Sequence, residues 1–284
     1  MEAYLDNSAT TRCSAKAAEM VMKVMREDFG NPSALHTKGV EAEHYVKEAR
    51  AFFAKNLKVD EKEICFTSGG TESNNLALIG TAMANRRAGN HLITTSVEHA
   101  SVDNTMKHLE EQGFRVTYLP VDEYGVVSLE ALKEALCPET ILVSVMYVNN
   151  EVGAVQPVDE IARIVKEYNP NTIFHVDAIQ AYGKYRTCAK KLGIDLVSVS
   201  GHKIHAPKGT GFLYIKDKVK IHSIVFGGGQ QKGLRSGTEN VPGIAGMAEA
   251  AAECYEKLEE KIDRLYALKD RFVSQVSALE GTKV

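Results

Sequence analysis

The sequence predicts an α/β fold in which helices cover both faces of a mostly parallel sheet. Short runs rich in β-branched residues alternate along the chain with segments whose apolar residues recur at helical spacing. Strands separated by helices of this length are joined most simply by right-handed crossovers between parallel strands. The uninterrupted apolar run ILVSVMYV is typical of a central strand that is covered on both faces.

Seven segments are predicted to be strands. They are EICFTS at 63–68, HLITTS at 91–96, RVTYLP at 115–120, TILVSVMYV at 140–148, TIFHV at 172–176, DLVSVS at 195–200 and GFLYIK at 211–216. Helices between them are marked by apolar residues one turn apart, such as Leu76, Ile79 and Met83 after the first strand. From Pro242 to Leu265 and beyond, apolar residues on one face predict a single extended helix that leaves the sheet.

Composition and charge exclude several classes of function. The chain has 284 residues, of which 44% are hydrophobic and 25% charged, so it can bury a full globular core. A formal net charge of -3 with scattered lysines and arginines gives no basic stripe for nucleic acid. Because we find neither a signal-peptide pattern nor a membrane-spanning apolar run, we expect a cytoplasmic protein with no nucleic-acid or membrane partner.

The cysteines predict neither a disulfide framework nor a metal site. They are odd in number, widely spaced and never in a C-x-x-C pair. We expect each of them to be a reduced, partly buried thiol: Cys13, Cys65, Cys137, Cys188 and Cys254.

Polar groups follow several of the predicted strands. After the first strand, TSGGTESNN places Gly69, Gly70 and Thr71 at the start of a helix, where backbone N–H groups and the helix dipole can hold an anion. From this stretch alone, a phosphate site and an ordinary strand-to-helix turn with Thr71 as N-cap are equally good interpretations. The stretch lacks the Walker spacing of glycines and lysine, which removes the main support for nucleotide hydrolysis.

The ends of three further strands carry an imidazole, amides and a carboxylate. They are His99 in SVEHASV, Asn150 in MYVNNEVG, and Asp177 with Gln180 in FHVDAIQ. A lone histidine at such a position is commonly a structural or capping group, and amides in a loop commonly stabilise a turn. A carboxylate at the end of an apolar strand must find a partner, because an unpaired buried charge is costly. A protonated ring nitrogen would be such a partner for Asp177.

The sixth strand runs into SGHKIHAPKGTG, which contains Ser200, His202 and Lys203. In open α/β sheets ligands bind outside the carboxyl ends of the strands, so we expect this strand to deliver Lys203 to a ligand. Cationic neighbours or desolvation lower the pKa of such a lysine and make it a better nucleophile. A phosphate cradle, an imidazole, a carboxylate and an imine-forming lysine together predict a site for pyridoxal 5'-phosphate.

The chain resembles the class-V aminotransferase family of pyridoxal phosphate enzymes, and more narrowly the cysteine desulfurases of the NifS/IscS group. The matching stretches run in family order from Tyr4 to Gly243: YLDNSATT, FGNPSALHTKG, FTSGGTESNN, EHASV, VNNEVGAVQP, HVDAIQ, SGHKIHAPKGTG and GGGQQKGLRSGTENVPG. The resemblance implies the fold of the fold-type I pyridoxal phosphate-dependent transferases, with a seven-stranded sheet in an α/β/α large domain and a small C-terminal domain.

The resemblance also implies a role for each matching residue around the cofactor ring. Lys203 would form the Schiff base with the cofactor and later move the α-proton of the substrate. Asp177 would bind the ring nitrogen, and Gln180 would bond the phenolic oxygen of the ring. His99 would stack on the ring face and act in proton transfer, while Asn150 would contact the phenolic oxygen and the substrate carboxylate.

Further roles implied by the resemblance concern the cofactor phosphate. Its ligands would be Gly70, Thr71, Ser200 and His202. Thr238, in RSGTEN, would reach the phosphate of the cofactor in the neighbouring subunit. That role makes a homodimer the expected functional unit.

The end of the chain departs from the pattern of the family. There, a mobile loop well downstream of the lysine carries the cysteine that attacks the substrate sulfur, and a later arginine binds the substrate carboxylate. We expect Cys254 to be a packed helix residue instead, and nothing indicates that Cys13 replaces the missing nucleophile. We expect residues 13–262 to form the large cofactor-binding domain, and residues 1–12 and 263–284 to be remnants of a small domain that is largely missing.

The expected function is removal of sulfur from L-cysteine, which leaves alanine and a persulfide for iron–sulfur cluster or thio-cofactor assembly. The expected partners are therefore L-cysteine and a scaffold or other sulfur-acceptor protein. We expect this chain to bind the cofactor but to transfer little or no sulfur, since a thiolate is the required nucleophile. Two alternatives stay open: a non-catalytic dimeric module that binds the cofactor, and another class-V reaction such as transamination or selenocysteine cleavage.

Overall fold

The computed structural model describes residues 3–282, in which seven strands form one sheet. The strands are β1 (Ile64–Thr67), β2 (His91–Thr95), β3 (Arg115–Leu119), β4 (Thr140–Met146), β5 (Ile173–Asp177), β6 (Leu196–Ser200) and β7 (Gly211–Ile215). Their order across the sheet is β1-β7-β6-β5-β4-β2-β3, and β7 runs in the opposite direction to the other six strands. The mostly parallel seven-stranded sheet is thus confirmed.

Eight α-helices surround the sheet within residues 3–282. They are α1 (Ala15–Arg26), α2 (Thr37–Leu57), α3 (Gly70–Asn85), α4 (Ala100–Glu111), α5 (Leu129–Ala135), α6 (Val158–Tyr168), α7 (Val241–Tyr255) and α8 (Leu258–Ser277). The prediction of one extended helix from Pro242 onward is wrong, because Lys257 adopts a left-handed conformation with φ of 53° and separates α7 from α8. Apolar spacing continues across this break, so it did not reveal the change of direction.

Each strand supplies side chains to two separate hydrophobic layers. On β4, Val143 and Val145 pack in the layer beneath α1, α2, α5, α6 and α7, whereas Leu142 packs in the layer beneath α3 and α4. Phe212 and Leu213 of β7 divide between the two layers in the same way. Because side chains alternate across a strand, this division shows that the sheet is covered on both faces.

The free edge of β1 is covered by side chains rather than by another strand. Gln231 Oε1 accepts a hydrogen bond from the Phe66 N–H at 2.9 Å, and Arg50 donates to the Ile64 carbonyl oxygen. An edge strand left open offers unpaired backbone groups to other chains. These contacts hold the 230–233 turn against the sheet.

Helix starts place several side chains near the carboxyl edge of the sheet. Gly69 precedes α3 directly after β1, and His99 is the N-cap of α4 after β2. The side chain of Asn240, the N-cap of α7, accepts a hydrogen bond from the Gly243 N–H.

No helix among residues 3–282 is long and apolar enough to cross a bilayer.

Candidate active site

The carboxyl ends of the parallel strands open into a cavity of about 510 Å³. This volume lies within the range of small-molecule and cofactor sites. The cavity is lined by nine of the ten residues predicted to bind the cofactor: Gly70, Thr71, His99, Asn150, Asp177, Gln180, Ser200, His202 and Lys203. Residues separated by more than 130 positions in sequence therefore meet because their strands end at one edge.

Lys203 ends the short 3-10 turn that follows β6. Its Nζ donates hydrogen bonds to the carbonyl oxygens of Ser8 and Ala9, the latter at 2.9 Å. Burial lowers the pKa of Lys203, while the carboxylates of Asp6, Asp177 and Glu151 raise it. The amine is thus held by two backbone acceptors, and its burial favours the neutral form.

Asp177 is the last residue of β5 and is only 4% exposed. Its Oδ1 accepts a hydrogen bond from the Ile179 N–H at 3.0 Å, and its Oδ2 accepts one from Asn74 Nδ2 at 2.8 Å. Burial raises the pKa of Asp177, whereas these two hydrogen bonds and the nearby His99 and Lys203 lower it. The carboxylate is therefore fixed in direction at the buried side of the cavity.

His99 combines the two roles that the sequence left open. It is the N-cap of α4, where its Nδ1 accepts a hydrogen bond from the Ser101 N–H at 3.1 Å. The same residue lines the cavity and is exposed there. Its capping bond leaves Nε2 as the nitrogen that makes no hydrogen bond with residues 3–282.

Two glycines at the start of α3 shape the region expected to hold a phosphate. Gly69, the N-cap of α3, has φ of 149°, a backbone conformation that L side chains rarely adopt, and a Cβ on Gly70 would lie 2.1 Å from Ile179 Cδ1. The alternative with Thr71 as N-cap is wrong, because α3 begins at Gly70 and its N-cap is Gly69. Thr71 lies in the first turn of α3, beside backbone N–H groups that the helix itself leaves unpaired.

His202 and Gln180 contact the N-terminal segment. His202 Nδ1 lies 3.1 Å from Thr10 Oγ1, and burial together with the charge of Lys203 lowers the pKa of His202. Gln180 Nε2 donates to the Ser8 carbonyl oxygen at 2.9 Å. The segment around Ser8 and Thr10 therefore closes one side of the cavity.

Asn149 and Asn150 differ in their surroundings. Asn149 is buried, and its Oδ1 accepts hydrogen bonds from the backbone N–H groups of Glu151 and Val152, at 2.9 and 3.0 Å. Asn150 lines the cavity and donates to Glu151 Oε1 at 2.6 Å. The first amide thus stabilises the turn, and the second is available to a ligand.

Thr238 is the predicted site residue that does not line this cavity. It is exposed in the loop before α7. Arg235 of the same loop forms a two-pronged ion pair with Glu72 of α3, at 2.7 and 3.2 Å. The expected role of Thr238 concerns the cofactor of a neighbouring subunit and stays a prediction.

Sequence reasoning missed several residues at the site. Asp6, Ser8 and Ala9 line the cavity although no strand or helix contains them. Asn74 and Ser101 contact Asp177 and His99 from within α3 and α4. The available signal was a polar residue at a helix position that the fold buries, since both side chains are buried.

The residues present fit pyridoxal 5'-phosphate. A lysine amine and a buried carboxylate line the same cavity, as a Schiff-base lysine and a ring-nitrogen partner require. A helix start whose N-cap glycine has positive φ, with the Ser200 hydroxyl 3.8 Å from the position of a Gly69 Cβ, fits a phosphate. The arrangement offers an acceptor for a ring proton, donors for an anion and a base for a substrate proton.

The fold and this site define the class of protein as a fold-type I α/β enzyme with a lysine-centred site. The family model for aminotransferase class V matches residues 3–284, and the chain belongs to that family, within its NifS/IscS group of cysteine desulfurases.

Relatives in the group cover nearly all of the chain. It is 48% identical over 280 residues to "Cysteine desulfurase IscS" of Methanosarcina thermophila, which covers 98% of this chain and 69% of that protein. It is 49% identical to "NifS/IcsS protein homolog" of Lactobacillus delbrueckii subsp. bulgaricus, over 99% of this chain and 73% of that protein. The chain thus spans about 70% of the length of these relatives.

Two solved structures show the same architecture. A "NIFS-LIKE PROTEIN" superposes with a TM-score of 0.95 at 45% identity and covers 96% of this chain and 75% of that one. "SspA in complex with cysteine" gives a TM-score of 0.84 at 38% identity, over 88% of this chain and 72% of that one.

Proposed function

We propose that this chain binds pyridoxal 5'-phosphate in the cavity at the carboxyl edge of the sheet and acts there on L-cysteine, as a cysteine desulfurase does. The observation that carries the proposal is that Lys203 and the buried carboxylate of Asp177 line one cavity. The names of the desulfurase relatives and of a structural neighbour in complex with cysteine support the choice of substrate.

The cofactor, when bound, supplies an electron sink for the negative charge that develops at the substrate Cα. Asp177 would hold a proton on the ring nitrogen, because its carboxylate is fixed by two hydrogen bonds and lines the cavity. His99 would pack against the ring. Gln180 and Asn150 would bind the phenolic oxygen, and Asn150 would also bind the substrate carboxylate.

Lys203 Nζ takes the proton from the substrate Cα and returns it. Burial lowers the pKa of this amine and so increases the fraction that can act as a base. When the amine releases the Ser8 and Ala9 carbonyl oxygens it can turn into the cavity that it lines. Gly70, Thr71, Ser200 and His202 hold the phosphate and so fix the ring relative to this base.

Sulfur removal needs a thiolate close to the substrate sulfur. None of the five cysteines in the sequence lines the cavity. Cys254 donates instead to the Ile204 carbonyl oxygen at 3.5 Å, and burial raises its pKa. We therefore expect this chain to exchange the α-proton of L-cysteine much faster than it forms alanine.

Isotope exchange tests the proposal directly. The chain is loaded with pyridoxal 5'-phosphate in D₂O, and loss of the α-proton signal of L-cysteine is followed by NMR beside an assay for alanine and sulfide. Lys203→Ala should slow the exchange by roughly 10²- to 10⁴-fold, the usual contribution of a positioned acid–base group. Lys208→Ala is the matched control, since Lys208 is exposed and outside the cavity.

The outcomes separate the candidate functions. Exchange that requires Lys203, with little alanine, is the expected result. Rapid alanine and sulfide production would contradict the expectation that no cysteine thiolate of this chain reaches the substrate sulfur. Cofactor binding without exchange would favour the non-catalytic module, to which the lack of a cysteine in the cavity also points.

The assembly and domain boundaries are part of the same proposal. We propose a homodimer in which exposed Thr238 reaches the phosphate of the neighbouring cofactor, and transfer of sulfur to an iron–sulfur scaffold or other acceptor protein. We also propose that residues 13–262 form the large domain and that 1–12 and 263–284 belong to a second one. In α8 only Leu258 is buried, which supports a boundary near its start. A cytoplasmic location stays a prediction.

A further inference from the structure

We propose that Asn74 is a positioning residue that orients Asp177 and His99 together toward the cofactor. The residue does not line the cavity, so it acts through its neighbours. The inference rests on the proposed function, because it assigns Asn74 an effect on the ring nitrogen of pyridoxal 5'-phosphate.

Asn74 lies on α3 and is completely buried. Its single Nδ2 group donates to Asp177 Oδ2 at 2.8 Å and to Ser101 Oγ at 2.9 Å. Both amide protons are thus used, one on each side. One side chain of α3 therefore links Asp177, at the end of β5, with Ser101, at the start of α4.

The orientation of this amide is determined by its partners. Asn74 Oδ1 is buried and has no hydrogen-bond partner among residues 3–282. Turning the amide over would place that oxygen against the Asp177 carboxylate, where two acceptors would repel each other and the hydrogen bond would be lost. The unpaired oxygen is therefore the cost of keeping both donors on Asp177 and Ser101.

Ser101 extends the chain of donors to His99. Because Ser101 Oγ accepts from Asn74, its hydroxyl proton is available to His99 Nδ1, 2.8 Å away. The Ser101 backbone N–H also donates to this nitrogen, at 3.1 Å. With Nδ1 occupied by two donors, the neutral ring carries its proton on Nε2.

Asn74 also acts on the charge of Asp177. Burial raises the pKa of this carboxyl group, and the hydrogen bond from Asn74 is one of the contacts that lower it. A donor to the ionised form favours that form. An ionised Asp177 is what holding a proton on a ring nitrogen requires, so the loss of Asn74 should weaken that contact in particular.

A comparison of two cofactors isolates this effect. The affinity of the chain is measured by spectrophotometric titration for pyridoxal 5'-phosphate and for its 1-deaza analogue, in which a carbon replaces the ring nitrogen. Leucine is close to asparagine in volume. Asn74→Leu should lower the affinity for pyridoxal 5'-phosphate, divided by the affinity for the 1-deaza analogue, by roughly tenfold, which is the scale of a hydrogen bond to a charged group. Ser101→Ala should weaken the binding of both cofactors alike and leave the ratio within about twofold. It interrupts the hydrogen bonds that lead from Asn74 to His99 and leaves the one to Asp177.

Asn85→Leu places the same substitution at the far end of α3 and should change neither affinity. An Asn74→Leu ratio equal to that of the unsubstituted chain would overturn the inference, whether both affinities fall or neither does. If the unsubstituted chain forms no Lys203-dependent complex with either cofactor, the proposed function fails first. Asn74→Ala, which adds no volume, gives the same readout if the leucine variant does not fold.

Discussion

His91 and His99 lie near opposite ends of β2 and have opposite environments. His91 is completely buried, with its Nδ1 2.8 Å from Thr140 Oγ1 and its Nε2 2.8 Å from Thr117 Oγ1. His99 follows the strand, is exposed in the cavity, and has only Nδ1 bonded by residues 3–282. One ring is satisfied on both sides, and the other leaves one nitrogen for a ligand.

The two ends of the sheet differ in the same way in their other groups. Cys137 Sγ lies 3.3 Å from His91 Nδ1 and 3.1 Å from Arg115 Nη2, so the partly exposed thiol already has polar partners. Burial lowers the pKa of His91 to about 4, which keeps its ring neutral. At the other end, Asp177 and Lys203 face a cavity. Residue type alone therefore does not mark a site; an unused polar atom beside open space does.

Replacing each histidine by alanine should destabilise the chain to different extents. His91→Ala removes two buried hydrogen bonds and leaves a cavity, so we expect the free energy of unfolding to fall by about 3 kcal/mol. His99→Ala removes an N-cap and should cost about 1 kcal/mol. Denaturant unfolding of the chain without cofactor measures both values.

Cofactor titration of the same two variants completes the test. His99→Ala should weaken binding of pyridoxal 5'-phosphate, whereas folded His91→Ala should bind it as the unsubstituted chain does. Equal losses of affinity in both variants would show that the two histidines are not divided between structure and binding.

Glu98, which precedes His99, makes the contrast depend on pH, because only one of its two carboxyl oxygens is hydrogen-bonded by residues 3–282. Its Oε1 accepts from Thr95 Oγ1 and the Met146 N–H, while Oε2 is buried without a partner among residues 3–282. Burial raises the pKa of Glu98 from 4.5 to about 8. The folded chain thus keeps a proton that the unfolded chain loses, and the stabilisation is present below pH 4.5 and lost as the pH rises through 8.

We therefore expect Glu98 to lower the free energy of unfolding by about 1.4 kcal/mol per pH unit between about pH 5 and pH 8. Glu98→Gln keeps the accepting oxygen and cannot ionise, so the variant should lack this slope. Denaturant unfolding at several pH values measures the difference between the two chains. Parallel stability curves would mean that Glu98 does not keep its proton in the folded state.

The sequence was sufficient for the sheet but not for all the helices. All seven strands were predictable because each contains β-branched or apolar residues between turns, most clearly in β4, where every residue is buried. The start of α8 was not, because the apolar spacing runs on from α7 and only the backbone of Lys257 turns. Helices α1 and α2 were also missed, since they precede the first strand and lie outside the repeated β-α pattern.

The site was predictable where a residue ends a strand. Asp177, Lys203 and His99 lie at or just after such ends, and parallel strands bring these ends to one edge. Ser8 and Asn74 were not predictable in this way. The former contributes a backbone carbonyl oxygen, which carries no sequence signal, and the latter is a buried amide whose partners are set by tertiary packing.

The most direct test is an absorbance spectrum of the chain with added pyridoxal 5'-phosphate, compared with that of Lys203→Ala, before and after addition of L-cysteine. A visible band that forms only when Lys203 is present and shifts with L-cysteine is the predicted result. Identical spectra for the two proteins, unchanged by L-cysteine, would contradict the claim that the cavity at the carboxyl edge of the sheet is a lysine-centred cofactor site.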